Sequence, residues 1–499
     1  MSEDHELGAT EAELIKARRA KLDALRSSGR DPFALTRFDR SHEARELHEK
    51  FGALQPGEHA SGTLVRAAGR MGTVRAMGKK AVFSDVSDQS GRIQIYFRAD
   101  ALGDEFRLVD TLDRGDLVGV EGEPFVTKTG ELTIAVKAFT VLAKSLRQLP
   151  EKWHGLTDHE TRYRQRYVDL IVNRPVLETM LLRSKLIAAT RHYLDERGFV
   201  EVETPVLLSI AGGANARPFV THSNALDISL QLRIATELNL KRCIVGGIEK
   251  VYELGRIFRN EGIDRTHNPE FTMLELYQAY GDVNTMMDLS EDWIVHLAGV
   301  ARVRGEHTFA GETFQLERPF ARIAYLDAMA KWGGLERADI LDEQRARAVA
   351  QRLKLSLEAG AGHAHVIDKI FEAVVEPQLL NPTFVTDFPL VLSPLAKRRR
   401  DDAELVERFE LFIAHMEIVN AFSELNDPDD QRTRFEAQAA QRARGDQEAP
   451  EPDWDYVHAL EYGMPPTGGL GSGIDRLVML LSGESSVRDV LLFPLQRPE

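Results

Sequence analysis

Arg259, Glu261, Arg265, His267 and Asn268 crowd into ten residues of one polar stretch. An arginine presents a forked, permanently charged donor that matches a carboxylate or a phosphate, and Phe271 just beyond can stack on a base. The surrounding segment, Val251–Tyr280, reads as two antiparallel strands flanking a polar loop at Gly262–Pro269. Side chains alternate faces along a strand. Thr272, Leu274 and Leu276 therefore share a core face, while Phe271, Met273, Glu275 and Tyr277 share the other. A glutamate and a tyrosine beside a phenylalanine on one face of a buried strand form a candidate pocket floor. Ile257, Arg259 and Glu261 share a face of the first strand, which sets Arg259 opposite that pocket. A solvated hairpin with an internal Arg–Glu pair is the bland alternative; the density of the loop favours a site for phosphates and a purine.

A second constellation lies in Arg408–Asn426. A tight turn at Ala414-His415 pairs Phe412 with Glu417, so Glu410 and Glu417 project from one face. Two such carboxylates repel unless a cation lies between them or the surface is solvated, and Phe412, Ile413, Met416 and Ile418 argue against a solvated hairpin. Asn420 and Glu424 differ in parity from Glu417, so a regular strand cannot present all three together. A bulge between Glu417 and Asn420 can.

These residues need positioning elements. A helix is expected at 11–27, stopped by Gly29 and Pro32, with a solvated surface helix favoured over an RNA-contacting one. Five short alternating runs follow: Gly62–Ala67, Ala81–Asp85, Arg92–Phe97, Asp116–Gly122 and Glu131–Thr140. Turn signals separate them, and five strands in so short a stretch suggest an OB-fold or another small barrel. Residues 146–175 read as a linker, in which His154 and His159 are surface residues. A long helix follows at 176–197 with Gly198 as its stop. The fold class is α+β multidomain: a helical extension at 1–59, the barrel at 60–145, and a second domain at 176–499 with mostly antiparallel strands. The stretch 320–365 carries little signal and reads as a variable insertion.

Bulk properties narrow the class. The chain has 499 residues, 43% hydrophobic and 28% charged, which suits a multidomain globular protein. Its single cysteine, Cys243, excludes an internal disulfide framework and fits a reducing, cytoplasmic setting. No apolar run approaches the length that spans a bilayer, and the N-terminal residues lack a signal-peptide core. The formal charge of −15 disfavours nucleic acid on average. Yet residues 61–150 hold 13 Lys+Arg against 11 acids, so the barrel region is locally basic.

The stretch FRNEGIDRTHNPEFTMLELY resembles motif 2 of the class II aminoacyl-tRNA synthetases in the version used by lysyl-tRNA synthetases. GFVEVETPVL (198–207) resembles motif 1, ending in its proline, Pro205, and GGLGSGIDRLVMLL (468–481) resembles motif 3, with Arg476 near the start of a helix. Together with motif 2 within 251–280 and the N-terminal barrel, the resemblance covers nearly the whole chain.

That resemblance implies a ligase that activates lysine with ATP to lysyl-adenylate and transfers it to the 3′-terminal ribose of tRNA, with Mg2+ and no enzyme nucleophile. It implies a homodimer through motif 1. Arg259 would bridge the lysine carboxylate and the α-phosphate, and Arg476 would hold the distal phosphate. Glu261, His267, Asn268, Phe271 and Glu410 would surround ATP, and Glu410 with Glu417 would bind Mg2+. A substrate with two ammonium groups needs several acids and one cation. Glu237 would take the α-amino group and Glu424 with Tyr277 the ε-amino group. Glu275 assists, Asn420 binds the carboxylate, Phe422 lines the aliphatic stem and Gly213 lets backbone approach. The barrel would read the anticodon through Arg70, Phe83 and Gln94. Relative to many bacterial members the chain departs at Asn239, His415-Met416 and Ala421. The alternatives are an aspartyl- or asparaginyl-type enzyme, a lysine ligase acting on a protein, and a non-catalytic RNA-binding relic.

Overall fold

Apolar residues at every second position build the first sheet. Its strands are β1 (Val65–Met71), β2 (Ala81–Ser87), β3 (Arg92–Arg98), β4 (Leu117–Val126) and β5 (Leu132–Ala143). Antiparallel pairs join β1 to β4, β4 to β5 and β3 to β2, while β5 and β3 run parallel. A last pairing of β1 with β2 closes the barrel. All five expected strands are present, each running one to four residues further at its C-terminal end, and the first begins at Val65 rather than Gly62. Ile95, Phe97, Val118, Val120 and Ile134 are fully enclosed within it.

The computed structural model describes residues 9–150, 156–214, 216–303, 305–357, 361–443 and 451–498. The chain divides into two compact units between Thr157 and Asp158. In the first unit, helix α1 (Ala9–Ser27) is not solvated all round as its mixed composition suggested. Leu22 and Leu25 are buried, and the Arg18 guanidinium donates to the carbonyls of Ser145 and Arg147 at 2.7 and 3.0 Å. A buried arginine satisfied by backbone carbonyls pins the helix, a contact invisible to local periodicity.

The second unit is built on eight strands: β6 (Val200–Glu201), β7 (Lys250–Phe258), β8 (Glu270–Ala279), β9 (Ala321–Ala324), β10 (Thr383–Thr386), β11 (Arg408–Ile413), β12 (Met416–Ser423) and β13 (Thr467–Gly473). Their order is β9-β10-β11-β12-β13-β8-β7-β6. The interior pairs are antiparallel and the two outermost pairs parallel, so the sheet is mixed at its margins. One face carries Leu274, Leu276, Leu411, Val419 and Leu470 onto helices α2 (Arg174–Asp195) and α4 (Ile474–Ser482). That burial leaves the opposite face free for chemistry.

Two expectations are corrected. The segment assigned as linker holds helices His159–Arg164 and Arg166–Val172, and both lie in the second unit. Arg166 is buried, pairing with Asp169 at 2.8 Å and donating to the carbonyl of Arg488 at 2.7 Å. The basic residues that looked like linker polarity are thus spent on a distant stretch of chain. His159 is exposed, and His154 lies outside the described residues. The stretch 320–365 is no mere appendage: β9 joins the sheet, and the helices after it enclose their own apolar cluster around Tyr325, Ile340, Val366 and Ile370.

Candidate active site

Registered pairing lays the site out in rows. Glu253, Glu275, Gly471, Asn420 and Glu410 stand opposite one another across β7, β8, β13, β12 and β11. The next row runs Val251, Tyr277, Gly469, Phe422, Arg408. Directly paired residues share a face, so Glu275, Tyr277, Asn420, Phe422 and Glu410 all project to the face away from the α2 core. The two glycines between them clear the floor. A β-carbon on Gly469 would collide with Glu424 Oε1 and lie 2.5 Å from the Tyr277 ring, and one on Gly471 would lie 2.7 Å from Met273.

Glu275 and Glu424 are almost wholly buried. Glu275 Oε1 accepts the Thr236 N–H at 3.2 Å, while its Oε2 has no hydrogen-bond partner among the described residues. Burial and the charge of Glu237 push the Glu275 carboxyl up to about 7, against the pull of the Thr236 donors and Arg259. Burial likewise pushes Glu424 up, with Lys241 opposing the rise. Glu237 opens helix α3 (Glu237–Val245). Gly213 has φ +91°, and a β-carbon there would sit 3.3 Å from that of Glu237. The glycine is needed for both its backbone angle and its lack of a side chain. Asn239 faces Arg242 instead, at 3.5 Å.

Lys241 escaped the sequence reading. It is completely buried, 2.6 Å from Glu237 and paired with Glu424. An unpaired ammonium in such a place would cost roughly several kcal/mol, so the two carboxylates and the lysine are mutually required. The site therefore holds two cations, Arg259 and Lys241, where one was expected.

The phosphate-facing end gathers around Arg259. Its guanidinium lies 5.2 Å from the centre of the Phe271 ring and donates to the Ile234 carbonyl at 3.4 Å. Burial lowers its pKa, and Glu261, Glu275 and Glu417 counter that. Arg476, near the start of α4, reaches the Glu417 carbonyl at 3.2 Å, its carboxylate at 3.7 Å and His267 Nε2 at 3.2 Å. Motifs 2 and 3 thereby meet the Glu417 hairpin. Asn268 is buried with its Oδ1 unpaired among the described residues, and its amide donates to the Glu270 carbonyl at 2.6 Å. Glu261 is exposed beside the loop. Asp475 anchors this end: it pairs with Arg183 of α2 at 2.5 Å and accepts the Thr272 N–H at 3.0 Å.

The expected hairpin is realised, bulge included. Ala414 and His415 form the turn with φ +49° and +64°. Phe412 pairs with Glu417 and Leu411 with Val419, which leaves Ile418 as the extra residue. Burial, together with Glu417, Asp368 and Glu376, pushes Glu410 up to about 8 against the pull of Arg408. Arg408 was also missed: it pairs with Glu410 and donates to Asn420 Oδ1 at 3.1 Å and Ser393 Oγ at 2.9 Å. So was Asp368, brought in by the helices of the 320–365 region and its continuation. No three His, Cys, Asp or Glu groups among the described residues form a closed metal cage. Glu410 and Glu417 offer carboxylate oxygens of the kind a hard divalent cation takes.

The barrel carries a separate open groove of about 570 Å³ lined by Phe83, Gln94, Arg75, Arg92, Lys128 and neighbours. Phe83 is not a core residue: it stacks on Tyr96 at 4.1 Å, and Tyr96 continues to Phe125 at 6.2 Å. Gln94 accepts from Thr133 at 2.9 Å. Arg70 does not belong with them. Its guanidinium donates to the Gly115 carbonyl at 2.7 Å and is partly desolvated, with Asp116 nearby, so Arg75, Arg92 and Lys128 supply the cations of the groove.

Comparison with known proteins agrees with this geometry. Residues 158–497 match the family of class II tRNA synthetases (D, K and N), and residues 65–142 match an OB-fold nucleic acid binding domain. The chain is 53% identical to a lysine–tRNA ligase of Carboxydothermus hydrogenoformans, over 97% of this chain and 98% of that one. It is 51% identical to that of Moorella thermoacetica over 98% and 99% of the two chains. It is likewise 51% identical to that of Staphylococcus aureus over 96% and 97%. Three motifs on one sheet, an OB-fold domain and near full-length likeness converge: the chain belongs to the class II tRNA synthetases, among the lysine–tRNA ligases.

Proposed function

We propose that the chain activates L-lysine with ATP, releasing pyrophosphate, and transfers the lysyl group to the 3′-terminal ribose of its tRNA. The observation that carries this reading is the meeting of Glu237, Glu275, Glu424 and Tyr277 on a floor cleared by Gly469 and Gly471, with Arg259 at its edge. Such a cavity suits a small molecule with two ammonium groups and one carboxylate. An aspartate or asparagine side chain would meet Glu275 and Glu424 where it needs cations or neutral donors, which disfavours the related specificities. A catalytic arginine set and an intact carboxylate pair likewise disfavour a non-catalytic relic.

Glu237 holds the α-ammonium and Glu424 with Tyr277 the ε-ammonium, while Phe422 packs along the stem and Glu275 lends charge. Gly213 admits the substrate to its backbone, and Asn420, oriented by Arg408, faces the carboxylate. Arg259 sits where that carboxylate meets the α-phosphate and neutralises charge as the two anions approach. Phe271 stacks on adenine, and Glu261, His267 and Asn268 line the nucleotide. Arg476 takes the outer phosphate, which it reaches by exchanging its ties to Glu417 and His267. Positioning and electrostatics supply the rate, so no enzyme nucleophile is required. Glu410 and Glu417 would hold Mg2+, which when bound screens the triphosphate.

The barrel groove, with its stacked rings and fringing arginines, suits unpaired bases of the anticodon. Val200, Leu207, Val220, Leu226 and Ile228 expose apolar area around motif 1, which supports self-association as a homodimer. No helix among the described residues is long and apolar enough to cross a membrane. We place the enzyme in the cytoplasm, in keeping with its single cysteine. The test is pyrophosphate exchange with lysine, aspartate and asparagine. Lysine alone should drive it, and Arg259→Ala should abolish it; exchange driven by aspartate would overturn the reading.

A further inference from the structure

One charged group in the amino-acid pocket has no part in the steps above. Lys241 lies one turn along α3 from Glu237, with no solvent exposure. Its Nζ is 2.6 Å from Glu237 Oε1 and pairs with Glu424 Oε2. Three aromatic rings enclose it: Phe422 at 5.4 Å, Tyr277 at 5.9 Å and Tyr456 at 5.9 Å. A cage of this kind stabilises an ammonium and leaves it no route to solvent, so Lys241 stays in place rather than yielding its position to a substrate.

The contacts divide each carboxylate in two. Glu424 forms its ion pair with Lys241 through Oε2, while its Oε1 lies at the cleared floor over Gly469. Glu237 gives Oε1 to Lys241, while its Oε2 faces Gly213. One oxygen of each is fixed and the other is turned to the pocket. The charges also match. Three carboxyl groups, Glu237, Glu275 and Glu424, stand against two cationic side chains, Arg259 and Lys241, one acid in excess for a substrate with one ammonium in excess.

We propose that Lys241 is a positioning residue for amino-acid recognition: its buried ammonium bridges Glu237 and Glu424 and aims their other oxygens at the two ammonium groups of the substrate. This rests on the reading of the pocket as a lysine site. The groups facing Lys241 are Glu237 from its own helix, Glu424 and Phe422 from the β12 side, Tyr277 from β8 and Tyr456 from helix Trp454–Glu461, with Glu275 and Arg242 close by. Burial drives Glu424 towards its neutral form and Lys241 opposes this, so removing the lysine should let Glu424 take up a proton.

Lysine-dependent pyrophosphate exchange is measured against pH for the full-length wild type, Lys241→Met and Lys241→Arg. Expected for Lys241→Met is a rise in the lysine KM of roughly 100-fold, carried by KM rather than kcat, with the KM for ATP unchanged. The pH of half-maximal lysine affinity should move up, because Glu424 loses the cation that opposes its protonation. Lys241→Arg should recover most of both effects. Should the methionine variant not fold, Lys241→Gln makes the same measurement with a polar, uncharged side chain. A lysine KM and pH profile unchanged in the neutral variants overturns the proposal, as does equal damage in the arginine and neutral variants to both substrates and to Tm. A wild type that shows no lysine-dependent exchange overturns the lysine reading itself, a result distinct from either of these.

Discussion

Glu410 and Asn420 face each other directly across β11 and β12, and Arg408 joins them by pairing with the first and donating to the second at 3.1 Å. The proposed carboxylate contact and the proposed Mg2+ ligand are thus set by one guanidinium. Removing a partner that orients a metal ligand typically costs roughly 10- to 100-fold. Arg408→Met should therefore raise the Mg2+ concentration needed for half-maximal exchange and also the lysine KM. Titrating Mg2+ at saturating lysine, then lysine at saturating Mg2+, separates the two effects; a change in neither would detach Arg408 from the site.

Gly469→Ala should block the floor. The added methyl meets Glu424 Oε1 and the Tyr277 ring, both packed in place. A misplacement of about 1 Å in a site of this kind can cost 100-fold. The lysine KM should rise by about that factor, while ATP binding by calorimetry stays close to wild type because the nucleotide loop is untouched.

Glu275 links stability to pH. Its carboxyl sits at about 7 in the fold against 4.5 in an ordinary setting. Between those values the folded state holds the extra proton, so stability falls as pH rises through that window, by about 3 kcal/mol in all. Lysine reverses the preference by favouring the ionised form, so its affinity should rise with pH through about 7. Glu275→Gln should melt higher than wild type at pH 8 in the absence of substrate. Its lysine KM should be raised and no longer vary with pH between 6 and 8. Melting curves at pH 5 and 8 with and without lysine check both parts.

In the barrel, Phe83→Ala removes the end of a stacked row. Stacking on one base is worth about 1–3 kcal/mol, so the KM for tRNA should rise between roughly 5- and 150-fold with pyrophosphate exchange unchanged. Arg70→Ala should leave the tRNA KM near wild type, since that guanidinium is committed to Gly115. The reverse ranking would put the RNA surface elsewhere.

Much of the site was legible because a strand repeats every two residues. The faces of 271–277 and the pairing of Phe412 with Glu417 follow from that period and one turn, and the conflict of parity at Asn420 located the bulge before Val419. What stayed hidden depends on contacts distant in sequence. Lys241 follows Glu237 by four residues, a spacing shared with any solvated helical pair, and only Glu424, far along the chain, marks it as buried. Arg70 has the type and strand position of an RNA contact, yet a carbonyl on a neighbouring loop claims it. In 320–365 a four-residue strand is too short to register, and its place in the sheet comes from β10, some sixty residues on.

The row from Glu253 to Glu410 crosses five strands without a break in pairing. Neighbouring strands are spaced by about 4.8 Å, so the sheet acts as a ruler, with Glu275 and Glu410 three spacings, about 14 Å, apart. The separation between the amino-acid end and the cation end is therefore quantised. Side-chain exchange can change what each station recognises, but lengthening or shortening the span between stations would take the gain or loss of a whole strand.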